Sequence, residues 1–333
     1  MPTVAHQELC SRMMVPGSER LARIWEMLCD ETDAKLLLAM PGTAQELAEK
    51  CSLPLDETAR RLDELYFKGV AFESEKPQGT VFRTPRHLIQ FHDASVQWPD
   101  APEAYYDEWS GFMANEYPPL VRMILDTGFP AFMRVLPISD TIKSLEGRLR
   151  CEGVENIIED ADMIALCMCP CRLTEKAHDK ASREVCIQIN KGANYNIKRG
   201  TGRQITKEEA LALLHECEGN GLVHFTDAKE GLGTFICNCC DCCCAILRPY
   251  LKDEKLRGIL APSRYQPRVD PEPCMQDGVC RDICPVGAIT LEAGAPCPEI
   301  DADLCIGCGL CVDSCAFGAL SMRQVRPPEF IPA

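Results

Sequence analysis

The chain has 333 residues, 46% of them hydrophobic, and a formal charge of −15. This composition excludes a disordered tail and suits two or three folded domains. It also argues against a general nucleic-acid coat, because binding phosphate takes a surplus of Lys and Arg. The outlier is cysteine, with 23 residues against three Trp and six His, most of them crowded into positions 151 to 315 in pairs and triples.

Such a cysteine load belongs either to a secreted disulfide scaffold or to a reduced protein that holds metal. Three features favour metal. Met1 to Ser18 lacks the apolar run of a signal peptide, no stretch of 18 apolar residues occurs, and adjacent Cys242, Cys243 and Cys244 make awkward disulfide partners. The expected setting is a reducing cytoplasm, without membrane insertion.

Residues 18 to 29 read as a helix, with Ser18 as N-cap and Leu21, Ile24, Trp25 and Leu28 at one-face spacing. A second helix opens at Thr43, where Thr43 and Glu46 form a capping box. The third runs from about Leu55 to Lys68, with Leu55, Ala59, Leu62 and Leu65 as its expected buried face. Two apolar runs, Val70 to Phe72 and Val81 to Arg83, then suggest a hairpin. This order over residues 1–85 resembles a winged helix, a fold that often reads DNA. Arg60, Arg61 and Lys68 are the candidates for phosphate contact, but Asp56, Glu57, Asp63 and Glu64 share their helix. Residues 20 to 86 carry ten Lys or Arg against twelve Asp or Glu, so docking or a structural role is the expectation. Cys10, Cys29 and Cys51 read as ordinary thiols.

Residues 86–150 are aromatic and proline-rich, with Trp98, Tyr105, Tyr106, Trp109, Phe112, Phe129 and Phe132 among helical fragments. They read as a helical connector with its own packing.

Residues 151–265 form a cysteine-rich module. Ten of its twelve thiols form the candidate set: Cys167, Cys169, Cys171, Cys186, Cys237, Cys239, Cys240, Cys242, Cys243 and Cys244. Ile164 to Met168 reads as a buried strand delivering the first group, and Phe235-Ile236 as another delivering the second. Zinc is conceivable, but sparse histidine and cysteine doublets favour iron-sulfur. The pattern Cys-x-Cys-Arg at 169 to 172, a lone Cys186 and Cys-Asn-Cys-Cys-x-Cys-Cys-Cys at 237 to 244 resembles ferredoxin-fused iron-sulfur proteins of anaerobic bacteria. The resemblance implies a cluster domain with a ferredoxin tail and no substrate. The expected ligands are Cys169, Cys171, Cys186 and one or more of Cys237 to Cys244, with Cys167 in the candidate set and room for one or two clusters.

Within the same module, Lys191 to Arg203 holds four basic residues and no acid. It reads as a solvated loop before a helix capped by Thr206 and Glu209, with anion binding as the alternative. Cys217 lies on that helix's apolar face, and His178, His215 and His224 read as structural.

In residues 266–333, segments 269–289 and 300–320 superimpose at a constant offset of 31. Cys274 matches Cys305, Cys280 matches Cys311, and Cys284 matches Cys315. The second copy is Cys305-x2-Cys308-x2-Cys311-x3-Cys315, the spacing that wraps three thiolates round one iron-sulfur cube and sends the fourth to another. It resembles bacterial two-cluster ferredoxins. Carried over by residue, Cys305, Cys308, Cys311 and Cys284 hold one 4Fe-4S cluster, and Cys274, Cys280 and Cys315 hold the other. Asp277 stands where that second set needs a cysteine. Three states follow: a 4Fe-4S cluster with an Asp277 oxygen ligand, a 3Fe-4S cluster, or a cluster completed by Cys297.

The sequence thus predicts an α+β protein that relays low-potential electrons between partners such as a flavoenzyme or another iron-sulfur protein. It reads as an electron-transfer component of an oxidoreductase complex more than a stand-alone enzyme, with no catalytic residues assigned. Nucleic acid is disfavoured, and both a homodimer and a larger complex are compatible. A redox-sensing transcription regulator and a catalytic iron-sulfur reductase subunit are the alternatives.

Overall fold

The computed structural model describes residues 1–175, 182–231 and 233–332. It is a mixed helix and sheet chain in two compact units, one of Met1–Met123 with Met168–Ala177, the other of Ile124–Cys167 with His178–Ala333. His178 lies outside the described residues. Among those described, no helix is long and apolar enough to cross a membrane.

In the first unit, helices Val4–Arg12, Glu19–Leu28, Glu31–Ala39, Ala44–Cys51 and Leu55–Phe67 precede a hairpin of Phe72–Lys76 and Gly79–Arg83. The strand Gly42–Thr43 pairs with Gly79–Arg83 and completes a three-stranded sheet. The local chemistry is as expected at two helix starts: Ser18 accepts the Leu21 N–H at 3.0 Å, and Thr43 and Glu46 close a reciprocal capping box. The buried face of Leu55–Phe67 departs from expectation. Thr58, Leu62, Leu65 and Tyr66 are buried while Leu55 and Ala59 are exposed. Pro54 starts the helix one residue before Leu55, so the first turn stands clear of the core and the stripe begins at Thr58. Among the aromatic residues after Pro85, Phe91 stacks on Trp25 of this unit at 4.0 Å and Trp109 stands edge-on to Phe91 at 5.1 Å.

The second unit is organised by a seven-stranded sheet. Its strands run Leu260–Ala261, Met133–Leu136, Val223–Asp227, Phe235–Cys239, Glu184–Ile189, Ile164–Met168, Gly202–Gln204. Successive side chains of a strand point to opposite faces, and this alternation sorts the chemistry. Ile164, Leu166, Ile187, Ile189 and Ile236 join Val154, Ile157 and Ile158 of helix Val154–Glu159 and Ala210 and Leu214 of helix Lys207–Gly219 in one apolar core. Cys167, Cys186, Cys237 and Cys239 occupy the alternate positions, on the opposite face.

The segment expected as a solvated loop is instead the helix Lys191–Arg199, followed by the edge strand Gly202–Gln204. Ala193, Asn196 and Arg199 are buried against the sheet, and the left-handed Gly200 at φ 71° ends the helix. The run of basic residues concealed an amphipathic pattern.

Beyond the sheet, strand Tyr265–Val269 pairs antiparallel with Leu320–Gln324, and Ile289–Thr290 with Glu299–Ile300. Short helices Val279–Asp282 and Leu310–Asp313 lie between them, each entered through a left-handed glycine, Gly278 and Gly309.

Candidate iron-sulfur centres

The offset of 31 is a spatial operation. Val269 pairs with Leu320, and Ile289 with Ile300; adding 31 to the first residue of either pair gives a member of the other. The backbone bonds repeat in the same way. Asp270 N donates to Ala319 O and Asp301 N to Ala288 O, both at 2.8 Å, and Cys284 N donates to Arg281 O as Cys315 N does to Val312 O, both at 3.2 Å. The two copies are therefore related by an approximate two-fold axis, and each contributes its first strand to a pair completed by the other.

This symmetry builds two sites. Around the second motif, burial pushes the Cys308 thiol up to about 12, opposed by the Leu310 N–H and reinforced by the charges of Cys284 and Cys305. Burial also raises Cys311, followed by the charges of Cys308, Cys305 and Cys284. Four thiols thus lie within electrostatic reach of one another, three from one copy and one from the other. Soft thiolate donors in that number suit an iron-sulfur cube, and loading it would release the protons these raised thiols hold. Backbone N–H groups turn toward the sulfurs, with Ala288 N donating to Cys284 Sγ at 3.3 Å. Such bonds tune reduction potential.

The loop carrying this motif is anchored to the rest of its unit. Ile138 N donates to Cys308 O at 2.9 Å, Ser263 N to Ile306 O at 3.0 Å, and Ser263 Oγ to Gly307 O at 2.6 Å. Gly307 sits at φ 68°, and a Cβ there would lie 2.1 Å from Tyr265 O, so only glycine fits. Under the loop, Glu152 accepts Arg264 Nε at 2.8 Å, Arg264 Nη2 at 3.0 Å and the Tyr265 hydroxyl at 2.9 Å.

Around the first motif, burial raises Cys280, opposed by the Arg281 N–H and reinforced by the charges of Asp277 and Cys274. Asp277 is exposed, and its Oδ1 accepts the Val279 N–H at 3.2 Å. Gln276 Nε2 donates to Pro296 O at 3.4 Å, which brings the residue before Cys297 next to the residue before Asp277. Cys280, Cys284 and Cys315 also pack on the apolar cluster of Ile289, Cys311 and Leu320.

The middle cysteines divide. Cys169 is the N-cap of helix Pro170–Thr174 and Cys171 lies within it, both in the first unit. Cys167, Cys186 and Cys237 to Cys244 belong to the second. There Cys240 Sγ stands 3.1 Å from both Cys242 Sγ and Cys243 Sγ, and these three thiols gather as a potential metal site. Another grouping is centred on Cys239, whose thiol is raised far above its ordinary value by hydrogen bonds with Cys237 and Cys244 and then by burial. Cys244 Sγ lies 3.2 Å from Cys239 Sγ. The pairing of Ile187 with Ile236, carried one residue on, sets Cys186 opposite Cys237. Burial pushes Cys167 up to about 12, partly offset by Arg199.

Three features were missing from the sequence reading. Arg199 is a buried cation on the cysteine face, 5.0 Å over the Tyr195 ring. Behind the Phe235–Cys239 strand, His224 joins Asn238 Oδ1 at 2.6 Å and Glu218 Oε1 at 3.1 Å in a buried network. After the cysteine run, Cys244 Sγ accepts the Ile246 and Leu247 N–H groups at 3.4 Å at the start of helix Leu247–Lys252. Tyr250 of that helix donates to Leu304 O at 3.2 Å, next to Cys305. Only the alternation of His224 and Asn238 with apolar strand residues hinted at any of these.

Residues 267–290 and 297–320 match family models described as 4Fe-4S binding domains. No curated protein and no solved structure matches the chain. The C-terminal region therefore carries two 4Fe-4S binding domains of the ferredoxin type, which gives the chain a general iron-sulfur electron-transfer role.

Proposed function

We propose that this chain is a multi-cluster iron-sulfur protein that relays low-potential electrons between redox partners, as a component of an oxidoreductase complex in a reducing cytoplasm. Cys305, Cys308 and Cys311 with Cys284 hold one cluster, and Cys274, Asp277 and Cys280 with Cys315 hold the other. The reciprocal pairing of Val269 with Leu320 and of Ile289 with Ile300 carries this reading, because it brings the last cysteine of each motif toward the other copy's site.

Bound clusters supply one-electron chemistry, at potentials on the order of −400 mV in plant-type ferredoxins. The residues do the rest. Thiolates fix the positions of the irons, backbone N–H groups donate to sulfur, and Ile289 and Leu320 pack against Cys280, Cys284 and Cys315. At the first site the favoured state is a 4Fe-4S cluster with an Asp277 oxygen ligand, since that carboxylate takes the place of a ligand thiol. The Cys237 to Cys244 run, with Cys186 and Cys167, extends the relay by one or two further centres, and Tyr250 links its helix to the Cys305 loop.

Residues 1–85 serve as a winged helix that docks protein. The cations a DNA reader needs are engaged internally: Arg61 with Asp33 at 2.8 Å and Asp30 at 3.0 Å, Arg60 with Glu64, and Lys68 with Leu28 O at 2.6 Å.

Iron and acid-labile sulfide per chain, with EPR spectra before and after dithionite on anaerobically purified protein, test the proposal. About 12 to 16 irons with reducible signals are expected, whereas about eight would confine the clusters to the C-terminal region. Zinc in the middle module, or clusters that dithionite leaves unchanged, would overturn the relay.

A further inference from the structure

The two-fold relation gives the C-terminal domain an internal control. Ile306 and Leu310 adjoin Cys305 and Cys311, Val286 lies two residues after Cys284, and they are 1%, 1% and 6% exposed. Their equivalents 31 residues away are Met275 and Val279, which adjoin Cys274 and Cys280, and Phe317, two residues after Cys315, and they are 64%, 43% and 48% exposed. The residue types are alike: each set is apolar and follows the same turn of backbone. The difference lies in what covers them, because the second loop is bonded to Ile138 and Ser263 of its own unit and the first is left on the surface. Large apolar side chains gathered at one surface mark an interaction site.

Charge indicates the occupant. Asp270, Glu272 and Asp282 are exposed beside the first motif, and Arg281 is paired with Asp282 at 2.7 Å. An apolar centre with an acidic rim is complementary to an apolar patch ringed by Lys or Arg.

We infer that the face formed by Met275, Val279 and Phe317 is the docking site for a redox protein with a basic rim, and that electrons enter or leave the chain through the first cluster there. The second cluster, covered by its own chain, is the internal station. This rests on the electron-relay reading. The step is a one-electron transfer in which a reduced cluster is oxidised and the partner's centre is reduced, with no bond made or broken.

Cytochrome c serves as a lysine-rich one-electron acceptor and dichlorophenolindophenol as a small-molecule control. Anaerobic protein, reduced and freed of dithionite, is mixed with each, for the parent, for the triple variant Met275→Gln, Val279→Gln, Phe317→Gln, and for the rim variant Glu272→Lys, Asp282→Lys. The parent is expected to reduce cytochrome c at a rate that falls with salt. Each variant, with parental iron content and EPR signals, is expected to be at least tenfold slower, and the rim variant is expected to lose most of the salt dependence. Parental rates with cytochrome c in both variants would overturn the docking face while leaving the relay intact. A parent that exchanges electrons with neither acceptor would overturn the relay reading and the docking face with it. The rim variant keeps the test decisive if the apolar one fails to fold.

Discussion

Asp277 and Cys308 occupy the same position in the two copies, and each accepts a hydrogen bond from the backbone N–H two residues on, Val279 N in one case and Leu310 N in the other. The aspartate thus takes over the local bonding of a ligand thiol while offering iron a harder oxygen donor. Asp277→Cys should make the first site as retentive as the second. On incubation with a chelator under air, the parent should lose about one iron per chain ahead of the rest, and the variant should lose none early. Iron content and the EPR signal of a three-iron product follow this.

Gly307 has no room for a side chain, with Tyr265 O 2.1 Å and Ser263 Oγ 2.4 Å from where a Cβ would stand. Gly307→Ala should push the Cys305–Cys308 loop off its anchor and cost about four irons per chain, measured as iron and sulfide on the purified variant. The equivalent Gln276 has φ 56° and is exposed, so Gln276→Gly should relieve left-handed strain by roughly 0.5–1 kcal/mol. A slightly higher urea midpoint in anaerobic far-ultraviolet circular dichroism is the expected sign.

Glu152 and Arg264 form a buried two-pronged ion pair with the Tyr265 hydroxyl as a third donor. Glu152→Ala would leave the guanidinium uncompensated and should destabilise the second unit by about 3–5 kcal/mol. The loss should appear in urea titrations together with weaker cluster retention at the loop above it.

Glu218 is the acid of the network behind the cysteine strand. Burial works to raise its carboxyl, but the hydrogen bonds and charges of His224 and His215 hold it below its ordinary value of 4.5. The folded chain then binds fewer protons at this group than the unfolded chain does. The stability it lends is therefore present above about 4.5 and lost as pH falls through the folded value. Urea midpoints measured downward from about pH 6 should decline less steeply in Glu218→Gln than in the parent.

Cys240, Cys242 and Cys243 gather closely, and Cys239 bonds with Cys237 and Cys244; we propose that each trio holds its own centre. Cys240→Ser should therefore deplete metal from the first group and leave the second, and Cys239→Ser the reverse. Elemental analysis of the two variants and of the double variant should give additive losses. Equal losses in all three would mean a single shared centre.

Much of this architecture was legible because it is written in local chemistry. Ser18 and Thr43 announce helix starts, and the 31-residue repeat announces two loops of the 4Fe-4S binding type. Other features depend on long-range packing. Ala59 reads as buried from spacing alone, yet the stripe begins at Thr58 because Pro54 sets where the helix starts. The basic run after Lys191 hid a helix because Ala193, Asn196 and Arg199 bury a face that hydropathy scores as polar. The cysteines were visible, but their sorting onto one sheet face, away from Ile187 and Ile236, required the strand order.

The exchange of strands between the two copies governs how the domain can be assembled. Tyr265–Val269 has no strand partner until Leu320–Gln324 has been synthesised, and on the proposed ligand set Cys274 and Cys280 wait as long for Cys315. Neither half is a miniature of the whole, since each owns one strand of two different pairs and three-quarters of one ligand set at most. Severed between the halves, in the turn at residues 293–294, the domain would become a two-body association. Recovery of both centres would then depend on fragment concentration, and the first and second clusters would appear together or not at all.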